Sequence, residues 1–159
     1  MRRRRKALYR PDSARRDCPH CGEAIAGYPR STKDVASSGE AVAKLMRPLV
    51  RGLDHEEAFA VLVNPQLRVR RIVRISIGSL AGAFLNMRAP FVEAIRDPAH
   101  GVIFVHNHPS GDTTPSKEDR ELTFKLAEMG RLLGIPLIDS VIVCDEGYFS
   151  FRDANILRG

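Results

Sequence analysis

Apolar positions between residues 37 and 157 repeat with two different periods, and the switches between them divide the chain into elements. Val42, Leu45, Met46 and Leu49 stand at i, i+3, i+4 and i+7, one face of a helix, with Ser37 or Ser38 as its N-cap. The next stretch, EAFAVLVN, alternates, so Glu57, Phe59, Val61 and Val63 share one face of a strand and Glu56 points to the other. Asn64-Pro65 turns the chain into a second strand, VRRIVRISIG. APFVEAIRD predicts a short helix with Pro90 in its first turn. GVIFV is a compact apolar run that predicts a buried strand. SKEDRELTFKLAEMGRLLG predicts the longest helix, with a stripe of Leu122, Leu126, Met129 and Leu133 and Gly134 closing it. IPLIDSVIV and YFSF predict two last strands joined by an Asp145-Glu146-Gly147 turn. Strands and helices thus succeed one another in a mixed α/β (α+β) domain, a mixed sheet flanked by helices, and no internal repeat is present.

Charge divides the chain at a different place. Residues 1–34 hold ten Lys/Arg against four Asp/Glu, while residues 35–159 hold fifteen of each. The net charge of +6 therefore belongs to a basic extension, 1–34, and the domain proper, 35–159, is neutral. A block such as Arg2, Arg3, Arg4, Arg5 and Lys6 does not fold by itself, and it suits contact with nucleic-acid phosphates or plain solvation. No apolar run approaches the ~20 residues that cross a membrane. The beginning of the chain lacks the apolar stretch and cleavage site of a secretory signal. Three cysteines, two of them in CPHC, cannot build a disulfide framework, which leads us to expect a reducing, cytoplasmic setting.

The chemistry concentrates in HNHPSGDTTPSKED, residues 106–119. Strand alternation sends His106 and His108 to one face, Pro109 stops regular pairing, and SGDTTP loops out before Ser116 opens the long helix. Two imidazoles from a strand end and the Asp119 carboxylate from a helix's first turn can then converge. Such N,N,O donors suit zinc with an open fourth position, and also non-haem iron. Each piece has a simpler explanation alone: His-x-His as a polar strand end, Ser116 as N-cap and Asp119 as a first-turn acid. The combination and its spacing favour a metal.

That combination resembles the JAMM (MPN+) metalloprotease motif, His-x-His-Pro-x₆-Ser-x₂-Asp, which is complete at His106, His108, Pro109, Ser116 and Asp119. In finer wording, HNHPSG followed by PSKED and a helix running into LLGIPLID is similar to the bacterial RadC family, once labelled DNA-repair proteins, from about Ser37 to Leu157. The resemblance implies the JAMM/MPN deaminase-like fold, zinc held by His106, His108 and Asp119, and Ser116 hydrogen-bonding the reaction intermediate. It implies a catalytic glutamate on an upstream strand in an E-x-F setting, which is Glu57 here. The implied function is zinc-dependent hydrolysis of an amide bond, peptide or isopeptide, in a peptide or protein substrate. The competing expectation is a DNA-repair-associated accessory protein that binds nucleic acid and whose metal site is structural or nuclease-type. Asn86 and Met87 before Arg88, and Ser140 after Asp139, depart from the family's usual residues without touching the ligand set. A zinc deaminase would need His-x-Glu and a later Pro-Cys-x-x-Cys, and the chain has neither after His106.

CPHCG is half of a zinc knuckle: Cys18 and Cys21 could aim two thiolates at one metal, completed by a distant histidine or another subunit, or else form a remnant or redox-sensitive pair. If residues 1–34 contact phosphates, deleting them should flatten the salt dependence of DNA binding, because log K falls by roughly 0.9 per neutralised phosphate. Binding titrations of full and truncated chains across a salt series check this. Equal affinity and equal slope would leave the extension a solvated segment.

Overall fold

The computed structural model describes residues 16–17, 24–25, 33–77 and 87–157. Cys18, Cys21 and the Arg2–Lys6 block lie outside the described residues, as do Asn86 and Gly78 at the end of the second strand's predicted run. The elements in chain order are β1 (Arg16–Asp17), β2 (Ala24–Ile25), α1 (Gly39–Val50), β3 (Glu57–Val63), β4 (Val69–Ile77), α2 (Ala89–Arg96), β5 (Gly101–Asn107), α3 (Lys117–Leu133), β6 (Leu137–Val143) and β7 (Tyr148–Ser150). β1 and β2 pair with each other, antiparallel. The other five strands form one sheet in the order β4-β3-β5-β6-β7. Only β5 and β6 run parallel, and α3 connects them, as a parallel pair requires. This is an α+β fold of the kind the sequence predicts, and no helix among the described residues is long and apolar enough to cross a membrane.

Both faces of the sheet are covered. Val42, Ala43 and Met46 of α1 pack on one face against Phe59, Val61, Ile103 and Val141. Phe91 and Ala94 of α2 and Leu126 of α3 pack on the other against Ala60, Leu62, Phe104 and Ile142. Each Val, Leu, Ile, Phe or Met side chain among these stabilises the fold by about 1.5–3 kcal/mol when fully buried. Double coverage explains why all seven residues of β3 are buried, although the sequence alternates like a half-exposed strand.

The helix ends follow their cap residues. Ser38 caps α1 by accepting from the Ala41 N–H, and α3 closes on Gly134 at φ 68°, a left-handed conformation that suits glycine. The stripe of α3 differs from the expected one. Asp119, Thr123, Leu126 and Gly130 are its buried residues, while Leu133 is 47% exposed. Gly130 sits against the Ile135 carbonyl, because the chain leaving the helix folds back over it on the way into β6, and that crossing leaves no room for a side chain.

The C-terminal turn is tied to the sheet through Asp139. Its buried carboxylate accepts from Ser150 Oγ (2.7 Å), the Ser140 N–H (2.7 Å) and the Arg152 N–H (3.0 Å), and burial pushes its carboxyl pKa up. Asp153 in turn accepts from the Gly39 N–H at the start of α1 (3.0 Å). A β-carbon at Gly39 would overlap the Ser150 side chain. Gly39→Ala should therefore destabilise the protein by about 1–3 kcal/mol, even though alanine is the better helix former by ~1 kcal/mol. Urea unfolding of the two proteins measures it, and a stabilised variant would contradict the close contact.

Candidate metal centre

β5 lies in the middle of the sheet, and its last residues carry the chemistry. The apolar run Val102–Val105 makes this a strand buried on both faces, and the burial extends through His106 and Asn107. His106 is 1% exposed, on the face of Phe104, whose ring centroid is 5.6 Å away. Pro109 then ends the strand, since it has no N–H to donate. The loop to Ser116 returns the chain so that the first turn of α3 stands over His106.

Three ligand-type side chains meet there. His106 Nε2 is 3.1 Å from His108 Nε2 and 3.1 Å from Asp119 Oδ1, and His108 Nε2 is 3.5 Å from Asp119 Oδ2. All three ligand atoms lie within 4.8 Å of one another, the only such group of His, Cys, Asp and Glu side chains among the described residues. His108 Nδ1 is 2.7 Å from the Asp112 carbonyl, which can only accept. Nδ1 therefore carries the proton of the neutral ring, and the Nε2 lone pair faces the cluster, the tautomer that ligates a metal. The backbone carbonyl thus acts as the outer partner that fixes ring and tautomer together.

Asp119 is held by the helix it begins. Ser116 Oγ accepts from the Asp119 N–H (3.0 Å) and donates to Asp119 Oδ2 (2.7 Å), and the Ser116 N–H donates to the same oxygen (2.8 Å). This capping box leaves Oδ1 turned to His106. Burial opposes the charge on Asp119, but hydrogen bonds from His106, His108 and Ser116 outweigh it and hold the carboxyl well below the ordinary carboxylate range. The same contact with Asp119 raises the pKa of His108 above its ordinary value. His106 Nδ1 is buried and has no hydrogen-bond partner among the described residues. His106, His108 and Asp119 could together hold a metal ion.

The cluster opens into a cleft of about 280 Å³ whose lining includes Glu56, His108, Ser116, Glu118 and Asp119. The two neighbouring glutamates are placed opposite to expectation. Ala58 pairs with His106 across β3 and β5, so Glu56, two residues from Ala58, lies on the face of the histidines. Glu57 shares its face with Phe59, as read from the alternation, but that face is the far one. Its carboxylate accepts from Arg74 (3.2 Å) and lies 3.2 Å from His55 Nε2. Alternation along β3 separates the two acids correctly, but it is the cross-strand partner that says which face holds the site.

One further residue escaped the sequence reading. Asn107, between the two histidines, points its side chain away from them. Its Oδ1 accepts from the Glu57 N–H (2.6 Å) and its Nδ2 donates to the His55 carbonyl (3.0 Å).

Metal binding must displace the proton that Asp119 favours on His108. Affinity should therefore fall by roughly tenfold per pH unit for that proton once pH drops through a value above ~6.5. Asp119 is already ionised there and adds no break. Chelator competition across about pH 6 to 8 checks this, and a flat profile would contradict the assigned role of His108.

A family profile described as RadC-like JAB domain matches residues 36–156. A UPF0758 protein of Symbiobacterium thermophilum is 38% identical over 140 residues, 88% of this chain and 59% of that protein. A UPF0758 protein of Rubrobacter xylanophilus is 42% identical over 125 residues, 79% of this chain and 55% of that protein. One from Trichlorobacter lovleyi is 44% identical over 97 residues, 61% of this chain and 42% of that protein. The chain thus spans about half the length of these relatives. The matched region begins just before α1 and ends in the C-terminal turn, taking in the five-stranded sheet and the whole ligand cluster. The chain belongs to the RadC-like JAB domain family.

Proposed function

We propose that this domain is a zinc-dependent hydrolase of the JAMM type that cleaves an amide bond in a peptide or protein. The observation that carries the proposal is the convergence of His106, His108 and Asp119 beside a cleft that His108 and Asp119 line together with Glu56 and Ser116. The donor set fits zinc. Zn–N bonds of about 2.0–2.1 Å at tetrahedral angles put two ring nitrogens ~3.3 Å apart, and the two Nε2 atoms here are 3.1 Å apart. When bound, such an ion supplies Lewis acidity that brings the pKa of water from about 15.7 to about 7.

The chain's own residues supply the rest. Glu56, on the cleft side, takes the proton of the attacking water and returns it to the leaving amine. This moves to Glu56 the role that the family resemblance gives to Glu57, whose carboxylate is engaged with Arg74 and His55. Ser116 lines the same cleft, and its hydroxyl can turn from Asp119 Oδ2 to the developing oxyanion. Asp119 tolerates that turn because the Ser116 N–H still donates to the same oxygen.

The cleft also favours an amide over a nucleic acid. Its described lining carries Glu56, Glu118 and Asp119 and no Lys or Arg, so a phosphodiester backbone would meet repulsion from the walls. Any nucleic-acid contact then belongs to the basic extension rather than to the reaction site.

Glu56→Gln keeps shape and hydrogen bonding but cannot accept a proton, so metal should stay bound while turnover falls by ~10²–10⁴. Glu57→Gln should keep both metal and turnover. Metal content and cleavage of a peptide pool, measured beside a single-stranded DNA pool, check this. Loss of turnover at Glu57 alone would return the base to that residue. Cleavage of DNA but not peptide would favour the accessory reading.

A further inference from the structure

The β3–β5 ladder ends at the pair Ala58–His106, one step short of the ligand loop. Beyond it, the side chain of Asn107 continues the pairing in place of backbone. Its carboxamide gives one hydrogen bond to the carbonyl of His55 and takes one from the N–H of Glu57, both from a site only 3% exposed. A carboxamide can do this because it offers an acceptor and a donor side by side. The two groups it grips belong to the peptide planes on either side of a single residue, Glu56. Peptide groups are rigid and planar, so holding both planes fixes the direction in which the Cβ of the residue between them points. Here it points toward His108, Ser116 and Asp119 across the cleft.

We propose that Asn107 is a positioning residue: it clamps the backbone around Glu56 and thereby fixes the distance from that carboxylate to the ligands His106 and His108 on either side of Asn107 itself. The proposal deepens the hydrolase reading and rests on it for its kinetic consequence, though not for its geometric one. His106 and His108 alternate to the cleft face and Asn107 to the opposite face, so the clamp reaches the acid without entering the reaction space. A residue that merely filled space at position 107 would leave the ligands in place and let the entry of β3 move.

The test uses the full chain loaded with Co²⁺ alone, which shifts the NMR signals of nearby side chains. In the unaltered protein the side-chain signals of Glu56 should be shifted more than those of Glu57. In Asn107→Ala the Glu56 shift should collapse toward that of Glu57 and the Glu57 amide should exchange faster, while Co²⁺ affinity and the exchange of the Ala60 and Leu62 amides stay as they were. Asn107→Asp keeps the acceptor for Glu57 and loses the donor to His55, so its Glu56 shift should fall between the two, which preserves the test if the alanine variant folds poorly. On a cleaved peptide, Asn107→Ala should lower kcat by ~10–100-fold with KM little changed, as outer partners of a metal site do. The same change should cost nothing further in a Glu56→Gln background. An unchanged Glu56 shift in Asn107→Ala overturns the proposal. So does loss of Co²⁺, or a kcat effect additive with Glu56→Gln. A protein that cleaves no peptide at all defeats the hydrolase reading, while the Co²⁺ shifts still decide the clamp.

Discussion

His106 is an imidazole near the end of the central strand of a five-stranded sheet, 1% exposed, with one ring nitrogen unpartnered among the described residues and the other aimed at a second imidazole and a carboxylate. Burying such a ring is costly unless its polar atoms are satisfied, and three converging lone pairs are satisfied best by a cation. The surroundings depend on this constraint. β5 must be central to bury His106, α3 must begin where Asp119 can reach it, and the loop between them must turn back sharply enough to bring His108 alongside. The capping box of α3 serves both ends, since the hydrogen bonds that start the helix are the ones that orient the Asp119 carboxylate.

Most of the fold was legible in the sequence because local signals and tertiary demands agree. Ser38, Ser116 and Gly134 sit at helix ends where their chemistry places them, and the apolar run before His106 is a strand buried along its whole length. Where reading failed, a contact from outside the element decided the outcome. The stripe on α3 shifted because the chain leaving the helix folds back over Gly130 at Ile135 and Leu137, and no periodicity along α3 records that approach. β3 looks half-exposed because alternation is visible in its sequence, whereas the helices on its two sides come from segments before and after it.

The candidate site divides in the same way. His106, His108, Ser116 and Asp119 were legible because all four lie within fourteen residues and their spacing alone brings them together. Which of the two glutamates at the entry to β3 lines the cleft was not. Alternation tells Glu56 from Glu57, but the cleft-facing side depends on the pairing of Ala58 with His106, on a strand far downstream in the chain. Asn107 reads in the sequence only as the spacer in His-x-His, since its two partners, Glu57 and His55, lie 50 and 52 residues away in the chain. Its types of bond, one given and one taken, carry no mark in a single sequence.

If His106, His108 and Asp119 together hold one metal ion, elemental analysis after equilibrium dialysis against zinc reads it out without intermediaries. The unaltered chain should retain a metal ion that His106→Ala and Asp119→Ala both lose, each variant still folded by circular dichroism. A chain that holds no metal, or folded variants that hold it as tightly as the original, would contradict the account.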